Sequence, residues 1–209
     1  MKQKILTLLL FACALGGCMK SPDTDELSSA FVVQTAKDPD ASFGGYKTYF
    51  LSDTIRTKTT NPNDSLWFDD KAKQLINTVK TNMSARGYTL VDRASKPDLG
   101  LGLSAIKDLN IGVIYPGWWW GYWGYWGGCY WGYCGYPPYY GWGGMLYSIP
   151  TGTLILDMID LKNAKNNNAL TVLWNAVMSG GLGSTSNDIQ LGVNGIQQAF
   201  DQSPYVKTN

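Results

Sequence analysis

Few side chains in this chain of 209 residues could react with a substrate or bind a metal, and its cysteines are among them. The chain has no histidine, which removes the commonest general base and the commonest metal ligand. Cys129 and Cys134 lie close together in one segment, and two cysteines alone are too few for a structural zinc site. In an oxidising compartment this pair predicts a disulfide, with two buried free thiols as the alternative.

Cys18 is the residue whose surroundings predict a specific modification. Lys2 and Lys4 precede an apolar run over residues 5–15, which is too short to cross a hydrocarbon core of about 30 Å and is typical of a secretory signal. The run ends in Leu15-Gly16-Gly17-Cys18, which resembles the lipobox of bacterial lipoproteins, where the cysteine thiol is acylated. We therefore expect residues 1–17 to be a signal peptide and Cys18 to be lipidated. An ordinary signal peptide with a chance cysteine is the alternative.

An insert over residues 112–148 is the most unusual segment. Between residues 115 and 147 almost every residue is Trp, Tyr or Gly, and no charged residue occurs between Asp108 and Asp157. Large rings with one polar atom suit a membrane surface or a partner protein. The alternatives are a glycan platform and a low-complexity loop that is disordered or folds loosely over its own domain. The candidate binding residues are Trp118, Trp119, Trp120, Trp123, Trp126 and Trp131.

Carboxylates are the remaining chemical candidates. Asp69 and Asp70 are expected in the first turn of a helix, Asp157 on the solvent-facing side of a strand, and Asp160 at the end of that strand as a turn former. Paired acids can do acid–base work or bind a cation, but these positions favour a structural explanation. The chain has no nucleophile motif and no phosphate loop. We predict no catalytic residue, no metal, no cofactor and no enzymatic activity.

The periodicity of apolar residues predicts the elements that carry these side chains. Residues 46–51 are rich in aromatic strand formers, and a helix capped by Asp64 or Ser65 follows, ending before Gly87 in a left-handed cap. Residues 98–106 and 153–159 alternate as half-buried strands. The apolar stripe of the helix consists of Ala72, Leu75, Ile76, Val79 and Met83.

The second half of the chain predicts a hairpin and a final helix. The strand after residue 168 is expected to place Leu170, Val172, Trp174, Ala176 and Met178 on one face and to pair with residues 153–159. The last helix, capped by Ser186 or Asn187, has an apolar stripe at Ile189, Val193, Ile196 and Phe200. Gly192 and Gly195 weaken this helix, and close approach of its backbone to the sheet would compensate.

These elements predict an α+β fold. We expect a two-layer sandwich with a mainly antiparallel sheet and both helices on one face. Residues 18–42 are predicted to be the lipidated N-terminus and a flexible tether, and residues 43–209 a single domain.

Several short segments resemble the domain-of-unknown-function 4136 lipoproteins of Gram-negative bacteria. They are Tyr46-Lys-Thr-Tyr-Phe, Ala85-Arg-Gly-Tyr, Lys96-Pro-Asp-Leu, Gly152-Thr-Leu-Ile-Leu-Asp and Leu173-Trp-Asn-Ala. The resemblance implies an envelope lipoprotein with an α+β domain and brings no established activity. The aromatic insert departs from the family pattern.

Function is predicted only in outline. We expect a lipid-anchored cell-envelope protein, on the periplasmic or surface side of the outer membrane, with a structural or binding role. The membrane is the expected partner through the N-terminal lipid, with an envelope protein or a glycan as a further partner. A carbohydrate-binding envelope lipoprotein is the alternative. The net charge of +1 gives no reason to expect nucleic acid.

Overall fold

The computed structural model describes most of the chain after its first thirty residues. The described ranges are 31–60, 66–107, 151–167, 169–182 and 189–209, with the backbone of 111–114, 129–130, 133–134, 138–139 and 147–149. The predicted signal peptide, Cys18, both predicted caps at residues 64–65 and 186–187, and the six candidate tryptophans lie outside the described residues.

A mixed sheet of nine strands forms one layer. Its strands are β1 (Val32–Lys37), β2 (Thr48–Leu51), β3 (Ile55–Lys58), β4 (Leu66–Trp67), β5 (Thr89–Leu90), β6 (Leu99–Ile106), β10 (Pro138–Tyr139), β12 (Thr153–Asp160) and β13 (Leu170–Ser179). Within the insert lie β7 (Ile111–Ile114), β8 (Cys129–Tyr130), β9 (Tyr133–Cys134) and β11 (Tyr147–Ile149). The helices are α1 (Asp70–Ala85), α2 (Ala164–Asn167) and α3 (Ile189–Asp201).

The long ladders of the sheet are antiparallel, as predicted. β12 pairs with β6 on one side and with β13 on the other, and β1 pairs with β13 at the edge. β2 and β3 both pair parallel with β6, and β5 pairs parallel with β2, so the sheet is mixed beyond this antiparallel part. The α+β class is confirmed.

Both long helices cover one face of the sheet, which we call the helix face. It presents side chains of β12 and β13 that are fully buried, namely Leu154, Leu156, Met158, Trp174, Ala176 and Met178. They form one core with the stripe of α1 and with Ile196, Ala199 and Phe200 of α3, while Ile189 and Val193 pack at its margin. The predicted helix stripes are confirmed.

Helix α1 has the expected kind of cap at each end, but its N-cap is not one of the residues predicted. The carboxylate of Asp69 accepts from the Ala72 N–H at 2.9 Å, so Asp69 is the N-cap and the prediction of Asp64 or Ser65 is wrong. Those residues precede β4, which separates them from the helix. At the other end Gly87 has a φ of 87°, the left-handed conformation that glycine adopts without strain.

The glycines of α3 allow a close approach, as predicted. A Cβ on Gly192 would lie 2.8 Å from Leu75 Cδ2 and 3.0 Å from Leu154 Cδ1. The backbone of α3 therefore sits directly on the sheet and on α1, and this contact compensates for the low helix propensity of glycine.

The predicted tether is too long. Residues 32–37 form β1, whose six residues pair with Trp174–Ser179 of β13. This short edge strand mixes Val32, Val33 and Ala36 with polar residues, and the polar residues on either side of it are why the sequence placed the domain boundary at residue 43.

One face assignment in β13 is also wrong. Met158 pairs with Trp174 but Ile159 pairs with Val172, so Leu173 is the extra residue of a β-bulge. The bulge shifts the alternation by one position. Leu170 and Val172 therefore lie on the opposite face from Trp174, whereas the sequence placed all three together.

Candidate functional site

One described strand of the insert pairs with the main sheet, and two further strand pairs lie within the insert. Its base is an antiparallel pair in which Tyr147 of β11 lies opposite Ile114 of β7 and Ile149 opposite Ile111. Further along, β10 pairs parallel with Leu170–Thr171 at the start of β13. A separate hairpin is formed by β8 and β9. The insert is thus continuous with the fold at its base and again at β10.

The two ends of the sheet carry different parts of the chain. At one end, which we call the tether end, Ile106 pairs with Thr153 and β1 begins at Val32 opposite Ser179. The insert leaves and re-enters the domain here. At the other, hairpin end, β12 and β13 are joined by residues 161–169, and β10 pairs there. The chain from Cys18 therefore enters the domain at the same end as the base of the insert.

The hairpin of β8 and β9 bears on the predicted disulfide. Cys129 and Cys134 are directly opposite each other in its register. Opposed residues of an antiparallel pair have Cα atoms about 4.5–5.5 Å apart, which lies within the range that disulfides span. This backbone placement is compatible with a disulfide, which stays a prediction.

The second face of the sheet, opposite the helices, is buried over β12 and β13. Ile155, Asp157, Ile159, Val172, Asn175 and Val177 are each exposed by at most 2%. Asn175 Nδ2 donates to Asp157 Oδ1 at 2.6 Å across the paired strands. The prediction that Asp157 faces solvent is therefore wrong, because this face is covered and the carboxylate is satisfied inside it.

Strand β6 borders this buried region with small residues. Gly102 pairs with Asp157, and a Cβ on Gly102 would meet no described heavy atom within 4 Å. Gly102 and Ser104 are half-buried, whereas their neighbours on β12 are buried. The cover over the second face is thus incomplete at Gly102 and Ser104, whereas Gly100 and Ile106 near the two ends of β6 are buried.

The carboxylates at the hairpin end bind the chain's own groups. Asp98 Oδ2 accepts from the backbone N–H groups of Lys47 (2.7 Å) and Thr48 (3.1 Å), and Thr48 Oγ1 accepts from the Asp98 N–H at 3.0 Å. These residues belong to two of the family-like segments, which meet here to join β2 to β6. Their role is to hold the sheet together.

Asp160 forms a second such cluster. Its carboxylate accepts from the Tyr46 hydroxyl at 2.9 Å and from the Asn163 N–H and side-chain amide at 2.9 and 2.7 Å. Burial, reinforced by this nearby carboxylate, raises the pKa of Tyr46 above its ordinary value. Asp160 is the turn former that the sequence predicted.

Asp69 and Asp70 also have structural partners. Asp69 accepts from the Trp67 indole at 2.7 Å besides capping α1. Burial opposes its charge, but these hydrogen bonds outweigh burial and lower the pKa of Asp69. Asp70 forms an exposed ion pair with Lys73 at 2.9 Å.

A polar groove between α1 and α3 was not predicted. Its volume is about 430 Å³, and Asn82 Nδ2 donates across it to Gln197 Oε1 at 3.1 Å. Its walls carry amides and hydroxyls from Gln74, Asn77, Thr78, Thr81, Asn82 and Gln197. In the sequence, this groove was indicated by the polar sides of α1 and α3. Exposure to solvent explains those polar sides equally well.

Neither a metal site nor a membrane-spanning helix is found in the part of the chain that is described. No group of three or more Cys, Asp or Glu side chains is arranged there to hold a metal ion. Among the same residues, no helix combines the length and the apolar character needed to cross a bilayer.

Comparison with solved structures shows one strong similarity. A DUF4136 family protein from Bacteroides thetaiotaomicron is 32% identical, with a TM-score of 0.73, over 86% of this chain and 98% of that one. A PDZ domain protein from Parabacteroides distasonis is 15% identical with a TM-score of 0.46, over 88% of this chain and 41% of that one. A PelC dodecamer from Paraburkholderia phytofirmans is 13% identical with a TM-score of 0.40, over 86% of this chain and the whole of that one.

Comparison of sequences gives the same family. No curated protein matches the chain. The profile of the domain of unknown function DUF4136 matches residues 33–205, which include both long helices and all of β1 except Val32. The chain therefore belongs to the DUF4136 family.

Proposed function

We propose that this protein is a lipid-anchored component of a bacterial cell envelope whose aromatic insert contacts the membrane surface or a partner protein held there. The main observation in its support is that the N-terminal chain and the insert both join the sheet at the same end. The chain from Cys18 enters at Val32, and the insert leaves after Ile106 and returns before Thr153 at that same end. A domain tethered there presents the base of its insert toward the anchor.

The length of the tether supports this arrangement. Thirteen residues separate Cys18 from β1, and a chain of that length reaches about 50 Å at most. The domain is therefore held near the bilayer, which raises the effective concentration of any weak second contact. Tryptophan and tyrosine favour the membrane–water interface, and the absence of charge between Asp108 and Asp157 removes the cost of taking ions out of water.

The anchor is tested by changing Cys18→Ser. We expect acylation and normal processing to be lost, because the modification needs the thiol. Cys13→Ser is the matched control, since Cys13 lies in the predicted signal peptide and its loss should leave anchoring unchanged. Mass spectrometry of the mature N-terminus decides the matter: an unmodified N-terminus starting at a residue other than Cys18 contradicts the proposal.

The membrane contact is tested with the chain from residue 19 onward and neutral phosphatidylcholine vesicles. Tryptophan emission should shift to the blue on mixing, and the shift should vanish when the five tryptophans from Trp118 to Trp126 become serine. Trp67→Ser is the control outside the insert and should keep the shift. An unchanged spectrum at every vesicle concentration would refute membrane contact and leave a partner protein.

Carbohydrate binding is the second candidate, and the groove between α1 and α3 favours it. Side-chain amides and hydroxyls are suited to hydrogen-bond neutral sugars, and Asn77, Thr81 and Gln197 present them from two helices. Titration with chitohexaose should give saturable binding that Gln197→Ala weakens. Equal binding by Gln197→Ala and the unchanged protein would rule out the groove.

A further inference from the structure

We propose that the outer surface of the helix layer binds an uncharged, linear glycan that lies along α1 and α3 together. The proposal rests on the second candidate function, carbohydrate binding by the groove, and it extends that groove into a longer track. The side chains of the track are Gln74, Asn77 and Thr81 on α1 and Gln190, Asn194 and Gln197 on α3. Gln190 and Asn194 lie outside the lining of the groove itself.

The exposed side of α3 carries amides instead of charged side chains. Asp201, the last residue of α3, is the only charged residue among its thirteen. The other exposed residues are Gln190, Asn194, Gln197 and Gln198, which lie on the side of the helix opposite its buried residues. Solvent faces of amphipathic helices ordinarily mix charged residues with polar ones, so this uncharged strip is a distinctive surface.

Helices α1 and α3 lie side by side and run in the same direction. Leu75, near the start of α1, packs against Gly192, near the start of α3. Further along both helices, Asn82 Nδ2 donates to Gln197 Oε1 at 3.1 Å. Contacts that advance together along both helices require parallel axes. The polar residues of the two helices therefore form two parallel rows.

The length of these rows suits an extended ligand. The row from Gln74 to Thr81 and the row from Gln190 to Gln197 each rise about 10 Å along the helix axis. Within the α3 row, Gln190 Nε2 donates to Asn194 Oδ1 at 2.9 Å, which holds these two amides together. A single sugar ring reaches only part of either row, so the ligand that fills them is a chain of sugars.

A fixed amide lies between the two rows. Asn82 is 4% exposed, and its side-chain amide donates both to the Thr78 carbonyl and to Gln197 Oε1. Its oxygen accepts from Arg86 Nη1 at 3.1 Å. These bonds hold the Gln197 amide in one orientation, which lowers the entropic cost of binding a ligand there. Asn82 is thus a positioning residue for Gln197.

Charged residues border the track in pairs. At its start Lys73 forms an ion pair with Asp70 at 2.9 Å. At its end Arg86 Nη2 lies 4.0 Å from Asp201, whose carboxylate also accepts from Gln197 Nε2 at 3.0 Å. A ligand lying between these pairs meets amides and hydroxyls in place of net charge.

The chemistry of the track selects the class of ligand. Nucleic acids need Lys and Arg for their phosphates, membrane surfaces need apolar or basic residues, and protein interfaces need an apolar centre. The six side chains of the track are all polar and uncharged. Side-chain amides and hydroxyls both donate and accept hydrogen bonds, which matches the hydroxyl groups of neutral sugars.

The test titrates the chain from Cys18 onward with chitohexaose and with cellohexaose, two uncharged linear hexasaccharides, by calorimetry. At least one should bind saturably, and added salt should leave its affinity unchanged because no ion pair forms. Gln190→Ala and Asn194→Ala should each weaken binding about three- to tenfold, since each removes hydrogen bonds to the ligand.

Gln202→Ala is the matched control. It also removes an exposed amide, but one that lies beyond the pair of Arg86 and Asp201 at the end of the track. Its affinity for the hexasaccharide should equal that of the unchanged chain. Equal thermal unfolding of all three variants shows that the alanine changes leave the fold intact.

Two outcomes overturn the inference, and they separate it from the groove. If a hexasaccharide binds and Gln197→Ala weakens it while Gln190→Ala and Asn194→Ala do not, the groove binds sugar and the track along α3 is wrong. If neither hexasaccharide binds, carbohydrate binding by the groove fails together with the track.

Discussion

Over β12 and β13 the two faces of the sheet are equally buried, but they are built from different sequence patterns. The helix face combines period-two strands with two helices whose stripes match it, from Leu75 of α1 to Phe200 of α3. The second face mixes apolar residues with the hydrogen-bonded pair of Asp157 and Asn175. The comparison teaches that polar residues alternating with apolar ones do not by themselves mark a solvent side, since a carboxylate can be buried when hydrogen bonds satisfy it.

The largest expected effect lies on the helix face. Trp174 is fully buried, its ring centroid is 5.3 Å from that of Phe200, and its indole donates to Ser203 Oγ at 2.9 Å. Trp174→Ala should lower the free energy of unfolding by about 3–5 kcal/mol in denaturant melts. Trp174→Phe keeps a ring and should cost less. A loss below about 1 kcal/mol for the alanine variant would contradict the assignment of Trp174 to this core.

The hydrogen-bonded pair of Asp157 and Asn175 provides a test of the packing of the second face. Asp157→Ala removes the acceptor that the buried Asn175 amide uses, and we expect a loss of about 2–3 kcal/mol in the free energy of unfolding. Combining it with Asn175→Ala should cost much less than the sum of the two single changes, because the two side chains act as a pair. Additive losses, or losses under about 0.5 kcal/mol, would show that the pair is not a unit of this face.

Gly192→Ala tests how closely the helix layer approaches the sheet. Alanine improves helix propensity by about 1 kcal/mol, but its Cβ would lie 2.8 Å from Leu75 Cδ2 and 3.0 Å from the Gly181 carbonyl oxygen. We expect a net loss of about 1–2 kcal/mol by thermal or chemical unfolding. Gly195→Ala is the matched control with a smaller loss, since its nearest contacts are 3.1 Å and 3.2 Å, to side chains. A gain in stability for Gly192→Ala would contradict the packing.

Gly102→Ala should have the smallest effect. A methyl group there would meet no described heavy atom within 4 Å, and the residue is half-buried. We expect the free energy of unfolding to change by less than about 0.5 kcal/mol. A loss above about 1 kcal/mol would mean that the cover of the second face extends over β6.

The helix layer was the part that sequence could predict. The stripe from Ala72 to Met83 and the left-handed Gly87 follow from local rules of period and capping. Each rule concerns neighbours within a few residues or one helix turn. The α+β class and the pairing of β12 with β13 followed because both are set by adjacent elements.

The errors arose where distant contacts decide the outcome. Residues 32–37, which the sequence assigned to the tether, pair as β1 with β13, far along the chain. The bulge at Leu173 is invisible in the alternation around it. Burial of Asp157 did have a signal: Ile155 and Ile159 flank it on the same face, and a strand apolar on both sides is typical of one buried on both sides.

The position of β1 has a mechanical consequence. It is the edge strand nearest to Cys18, and its six residues are hydrogen-bonded to β13 along their whole length. A pull on the chain before Val32, directed along the strand, would load all these hydrogen bonds together instead of opening them one by one. Separating β1 from the domain in that direction would therefore require several hydrogen bonds to break at once.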